Sequence, residues 1–200
     1  MTRTAAAALS LAICISGPAL ANPSTQDPTK VPAGTYVLDK RHASLTTKIL
    51  HMGFSHYTLR FNGLDGNFTF DPANWQATKV TFTVDPKSVD TNDPAFNKQI
   101  AGYFDTDKNP EITFVSTSLQ GQDGKGTMTG DLTLHGVTKP VTMDVTFAGA
   151  GHGVVPLGTR LGFSATTQIK RSDFGLSNSI LNQFTGDEVD VIFEGEFEKK

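Results

Sequence analysis

Apolar and polar residues alternate strictly, stretch after stretch, along this chain of 200 residues, and no other feature limits its fold so tightly. Between Gly130 and Phe147, Leu132 and Leu134 flank Thr133. Val141, Met143, Val145 and Phe147 then alternate with Thr142, Asp144 and Thr146. A period of two gives a strand one apolar and one wet face. Residues 135–140 between the two runs reverse the chain.

The same pattern recurs elsewhere. Tyr36 and Leu38 share a face, as do Leu45, Thr47 and Ile49, then Leu59 and Phe61, then Phe68 and Phe70. Val80, Phe82 and Val84 follow, then Ile112 and Phe114. Leu161, Phe163, Ala165, Thr167 and Ile169 form another stripe, and Val189, Val191, Phe193, Gly195 and Phe197 the last. Asp71-Pro72 and Asp85-Pro86 punctuate the series as turns. One segment departs from it. Asp93-Pro94 is a capping carboxylate followed by proline at the first helical position. Phe96, Ile100 and Tyr103 then fall on one helical face. A short helix over 94–103 is expected, laid across the sheet or an open end. Roughly eight strands with turn signals between them fit a sandwich or a barrel. Their length and sequential order favour an all-β, antiparallel, eight-stranded barrel, which can enclose one small ligand.

The first 21 residues read as a cleavable export signal: Arg3, an apolar run from Ala5 to Ile15, and the small-x-small site Ala19-Leu20-Ala21. That run is too short for a stable membrane anchor, so the mature chain is expected to have no transmembrane segment and to reside in the periplasm. Cys14, the single cysteine, lies inside the signal, and bulky Ile13 before it disfavours lipid attachment. The mature chain then has no thiol for a disulfide, a metal or a nucleophile. Residues 22–33, with three prolines, read as a flexible leader without packed structure. Residues 34–200 make one domain.

Composition restricts partners. Seventeen basic residues against twenty acidic ones, with no basic cluster, oppose nucleic acid. No nucleophile elbow, zinc-protease helix, phosphate loop or dinucleotide fingerprint is present. Asp105-Thr106-Asp107 opens like a calcium loop, but Pro110 stands where glycine is needed and Ser116 where a bidentate Glu is needed. His42, His51 and His56 lack paired ligand spacing, so no metal site is assigned. No catalytic residue and no required cofactor emerge, and the chain is not read as an enzyme.

Phenylalanine stands out, with 14 against 3 Tyr and 1 Trp. Many fall at inward parity, making an interior suited to hydrocarbon. Periodicity alone does not separate a filled interior from a hollow one. The expected lining comprises Leu45 and Ile49, then Phe61, Phe68, Phe82 and Val84. It continues through Phe96, Ile100, Tyr103 and Phe104 around the helix, then Ile112, Phe114, Leu132 and Leu134. Phe163, Val191 and Phe193 complete it.

The phrase from Gly130 through Leu134-His135-Gly136-Val137-Thr138-Lys139-Pro140 to Val141 resembles the signature of the YceI family of bacterial polyisoprenoid-binding proteins. Arg171-Ser172-Asp173-Phe174-Gly175 matches a second stretch of that family. Phe104-Asp105 with Asn109-Pro110-Glu111-Ile112-Thr113-Phe114 matches a third, and Tyr36-x-Leu38-Asp39-x-x-His42 a fourth. The chain departs from the family pattern at Ala43 and Thr47, and in the helix at Phe96-Asn97-Lys98-Gln99-Ile100. The resemblance implies a lipocalin-like barrel with a long apolar pore holding an isoprenoid or similar amphiphile, such as a quinone or a prenyl phosphate. Lys40, His42, Arg171 and Ser172 are the head-group candidates. Many relatives of this kind pair, so monomer and homodimer both stay open. Two other functions stay open beside carriage or storage of a lipid: an enzyme working in the same cavity, and an interaction or stress module with a filled barrel.

Overall fold

The structure, a computed structural model, describes residues 24–154 and 157–200. The expected signal peptide lies outside the described residues. Eleven strands form one closed antiparallel sheet. In chain order they are β1 (Ser24–Thr25), β2 (Gly34–His51), β3 (Ser55–Phe61), β4 (Leu64–Phe70), β5 (Val80–Val84), β6 (Val89–Asp90), β7 (Ile112–Gln122), β8 (Lys125–Leu134), β9 (Val137–Val154), β10 (Leu157–Lys170) and β11 (Thr185–Lys199). Helix α1 (Pro94–Tyr103) joins β6 to β7, and α2 (Ser179–Phe184) precedes β11.

Eight staves make the barrel, because β3 and β4 are two halves of one stave along β2, broken at Asn62-Gly63. β5 and β6 similarly run along β4 and β3, broken by a 3₁₀ turn at Pro86–Ser88. Each later stave pairs with its sequence neighbour, and β11 closes onto β2. Short turns enforce this order. Asp123-Gly124 and His135-Gly136 both hold positive φ, the geometry that matches strand twist in two-residue hairpins. The expected six-residue reversal at 135–140 is therefore tighter, with Val137–Pro140 already in β9.

Helix α1 occupies the expected span. Asp93 caps it by accepting from the N–H of Ala95 (2.9 Å) and of Phe96 (3.3 Å). The leader is a correction. Ser24–Thr25 pairs with Ala150–Gly151 of β9, Asp27 caps a 3₁₀ turn at Pro28–Lys30, and Val31 is buried. The prolines of this segment shape a turn, and one apolar side chain pins it to the barrel floor.

The two ends of the barrel differ. At the floor, Tyr36 stacks on Phe68 (ring centres 5.4 Å apart) and Phe197 meets Phe68 edge-on at 5.0 Å. Tyr36, Leu38, Phe68, Phe147, Leu161 and Phe197 are all buried there. The Tyr36 hydroxyl, which such a site must satisfy, donates to the Pro32 carbonyl at 2.7 Å. Outward positions, such as Lys48, Thr58, Asp65, Asn67, Asp131, Asp144 and Gln168, are exposed and polar. These outward positions of the described strands carry polar side chains where a membrane-spanning barrel carries apolar ones. Among the described residues no helix is long and apolar enough to cross a bilayer.

Candidate functional site

Above the floor the inward side chains stop filling the barrel. Leu45, Ile49, Leu59, Phe82, Val145, Val191 and Phe193 point inward yet are only half-buried. Core side chains at native packing density would be sealed. Here they line a cavity of about 1070 Å³. Every apolar residue expected in the lining faces this cavity, including Phe61, Phe68, Val84, Ile112, Leu132, Leu134 and Phe163 on the strands. Phe114 faces it too, although little of its surface is exposed. Phe82 and Phe193 meet edge-to-face across the bore, with centroids 5.1 Å apart. Phe82 leans over Gly66, where an added Cβ would stand 2.7 Å from its ring. Glycine at that strand position makes room for the ring.

Helix α1 roofs the opposite end. Phe96 meets Tyr57 edge-on at 5.6 Å, and Phe104 meets Phe61 at 5.9 Å. Ile100 and Tyr103 also face the cavity. Val141, Met143, Val145, Met128 and Trp75 line it as well. The alternation in β9 had already put the first three on one face. Trp75 gave no periodic signal, because it sits in a 3₁₀ segment, Pro72–Ala77.

Among the described residues, charged side chains reach the cavity only near its ends: Asp27, Asp123 and Lys125 by the floor, and Arg171 by the roof. The middle of the wall is apolar apart from threonines such as Thr47 and Thr167. It offers no acid and base side by side. No group of three or more His, Cys, Asp or Glu among the described residues is placed to hold a metal ion.

The four head-group candidates do not gather at one mouth, which corrects the sequence expectation. Lys40 and His42 sit on a bulge of β2, where Glu196 of β11 stands opposite the four residues between Leu38 and Ala43. The extra residues turn outward. Lys40 Nζ pairs with Asp65 Oδ2 at 2.7 Å, and His42 Nδ1 meets Asp39 Oδ2 at 2.7 Å. Asp39 also accepts from Arg160 Nη1 at 2.7 Å, and Arg160 reaches Glu196 and Glu198. Burial raises the Asp39 pKa, but hydrogen bonds from His42, Arg160 and the Arg41 amide outweigh it. The carboxyl is held well below its usual range. This cluster fastens the outer wall where the pairing of β2 with β11 is interrupted.

Ser172 is exposed in a 3₁₀ turn, Arg171–Phe174, and its amide and hydroxyl both donate to Asp187. Those bonds hold the Asp187 carboxyl below its usual pKa. Arg171 alone of the four faces the cavity. It is buried and donates to the carbonyls of Gly186 (2.8 Å), Leu176 (2.5 Å) and Thr185 (3.2 Å) and to Asn182 Oδ1 (3.0 Å). Its main work is to staple the α2 segment to the barrel rim. No carboxylate among the described residues forms an ion pair with it.

Comparison with known proteins gives a consistent result. Residues 36–197 match the model of the YceI-like domain. A UPF0312 protein of Vibrio cholerae is 40% identical over 174 residues, covering 84% of this chain and 86% of its own. One from Shewanella baltica is 36% identical over 182 residues, covering 88% and 95%. Among solved structures, BcnA of Burkholderia cenocepacia aligns with a TM-score of 0.70 and 27% identity, over 80% of this chain and 98% of that one. A YceI protein of Campylobacter jejuni gives 0.65 and 30%, over 76% and 91%. A polyisoprenoid binding domain from Saccharophagus degradans shares the fold at 0.63 and 20% identity, over 82% and 98%.

Proposed function

This chain belongs to the YceI family, and from that premise we propose that it binds and carries, or stores, one long-chain isoprenoid or similar amphiphile in the periplasm. The hollow apolar bore carries this reading. At ~30 Å³ per water-sized group, a cavity of about 1070 Å³ accommodates on the order of thirty to thirty-five carbon atoms. Each methylene buried in it contributes roughly 0.8 kcal/mol before ordering costs. A flexible tail is held by contact area rather than by polar recognition, which suits a wall whose middle is hydrocarbon and threonine. The fold shared with a domain named for polyisoprenoid binding is consistent with such a tail.

The polar end of the ligand belongs at the roof, where Arg171, His51, Tyr57 and Tyr103 come into reach. Arg171 has one N–H not engaged by the four bonds above, and no carboxylate among the described residues in direct ion-pair contact, Asp187 feeling its charge only at longer range. A phosphate or a quinone oxygen suits it. The chain is proposed to act without catalysis, since an apolar wall without paired acid and base offers retention rather than turnover. Organic extraction of protein purified from a periplasmic fraction, followed by mass spectrometry, tests the proposal. One amphiphile per chain is expected. Extracts free of lipid, from protein that also rejects added prenols and quinones, would overturn it.

A further inference from the structure

Among the described residues, most of the exposed large apolar side chains crowd one rim of the barrel. Leu50, Met52 and Phe54 lie on the β2–β3 hairpin, and Ile180 and Phe184 on the α2 segment; Phe54 is 82% exposed and Ile180 60%. The two segments are joined, because the Met52 amide donates to the Phe184 carbonyl at 2.8 Å and Thr185 pairs with His51. The hairpin tip is a tight turn, with Met52 and Gly53 at positive φ and the Phe54 amide bonded to the His51 carbonyl. It projects Phe54 rather than folding it back.

Residues 49–59 and 174–186 contain no Asp, Glu, Lys or Arg, in a chain of which 18% is charged. The rim is also continuous with the cavity: His51, Tyr57, Thr185 and Leu176, in the same segments, face the bore. We propose that this rim is a bilayer-docking surface, through which an apolar ligand passes between a membrane and the barrel without crossing water. The proposal rests on the lipid-binding reading above.

Size and chemistry select the occupant. At ~200 Å² per large side chain, the five expose roughly 500 Å², below the ~800 Å² each partner buries in a standard protein interface. A projecting tip with no fixed charge suits hydrocarbon better than a second copy of this chain. Of the cations at the rim, Arg171 is buried beneath the α2 segment and spent on its carbonyls, and Lys48 and Lys170 are matched across the strands by Asp190 and Glu188. Attachment is therefore apolar rather than electrostatic.

Flotation of the purified protein with vesicles of neutral phosphatidylcholine tests this, at low and high salt. Wild type is expected to float, with little response to salt. Phe54→Ser and Ile180→Ser, both at exposed positions, are expected to lower the bound fraction about tenfold each. They should slow uptake of geranylgeraniol from vesicles by a similar factor while leaving occupancy from detergent solution unchanged. Protein that fills from detergent but does not float, or floats equally well with both substitutions, refutes the docking rim and leaves lipid binding standing. Protein that floats through Phe54 but takes no lipid from detergent refutes the lipid-binding reading instead. A dimer abolished by Phe54→Ser, without flotation, assigns the rim to a second copy and also refutes the proposal.

Discussion

Replacing Leu45 by aspartate puts a charge where the proposed tail must lie. Leu45 stands in register with Phe61 on β3 and Phe193 on β11, and all three face the cavity. Neither cross-strand neighbour offers the new carboxylate a hydrogen bond. In the ligand-free barrel the carboxylate meets the cavity, so the folding cost is modest, below the ~2–5 kcal/mol of truncating a sealed core leucine. Ligand binding is different, because the tail strips any water from the carboxylate. The cheapest response is protonation. From an ordinary Asp pKa of ~3.9, that costs about 4 kcal/mol at pH 7, roughly a thousandfold in affinity. Leu45→Asn has nearly the same shape and no charge. It should cost about 1–3 kcal/mol for an unmet amide, on the order of ten- to a hundredfold.

The assay is titration with geranylgeraniol delivered from detergent, read by calorimetry across pH. For Leu45→Asp the affinity should rise about tenfold per pH unit as pH falls toward the Asp pKa, while wild type and Leu45→Asn stay flat. Equal affinity of the aspartate variant and wild type at pH 7 would refute the reasoning. So would a collapse of the ligand-free fold comparable to that of a sealed-core substitution.

Other perturbations follow from the same geometry. Asp39→Asn should lower stability at pH 7 by about 1–3 kcal/mol in chemical denaturation, because Arg160 loses its buried partner. Since the Asp39 pKa is depressed by folding, its contribution is present above the unfolded pKa and lost as pH falls through the folded one. The gap between variant and wild type should therefore close in strong acid. Arg171→Lys loses the planar fork that bonds four acceptors. Amide hydrogen exchange in residues 176–186 should accelerate at least tenfold, with the floor of the barrel unchanged. Gly130→Ala forces a Cβ into the Phe114 ring and the Val115 carbonyl, and a melting experiment should show a loss of about 1–3 kcal/mol.

Much of this molecule was legible in its residue pattern. The alternation through β9, β10 and β11 gave the inward face correctly, because a strand of period two with one wet side has a single way to turn. The Asp93-Pro94 signal located α1 for an equally local reason. Three features were not legible. The β2 bulge flips the parity around Lys40 and His42; the switch from Tyr36 and Leu38 to Leu45, Thr47 and Ile49 stands in the residue pattern, but it reads equally well as two separate strands, and only pairing with β11 makes them one. Residues 24–33 look like a tether by composition, yet Val31 docks on a floor assembled from remote strands. The hollow itself left no trace, since half-buried and sealed phenylalanines read alike in sequence.

The most direct test is a crystal structure of the protein soaked with geranylgeraniol. Continuous density running between Leu45, Phe82 and Phe193, with the hydroxyl end toward Arg171, is the expected result. A barrel whose own side chains close that space and leave the soaked molecule outside would contradict it.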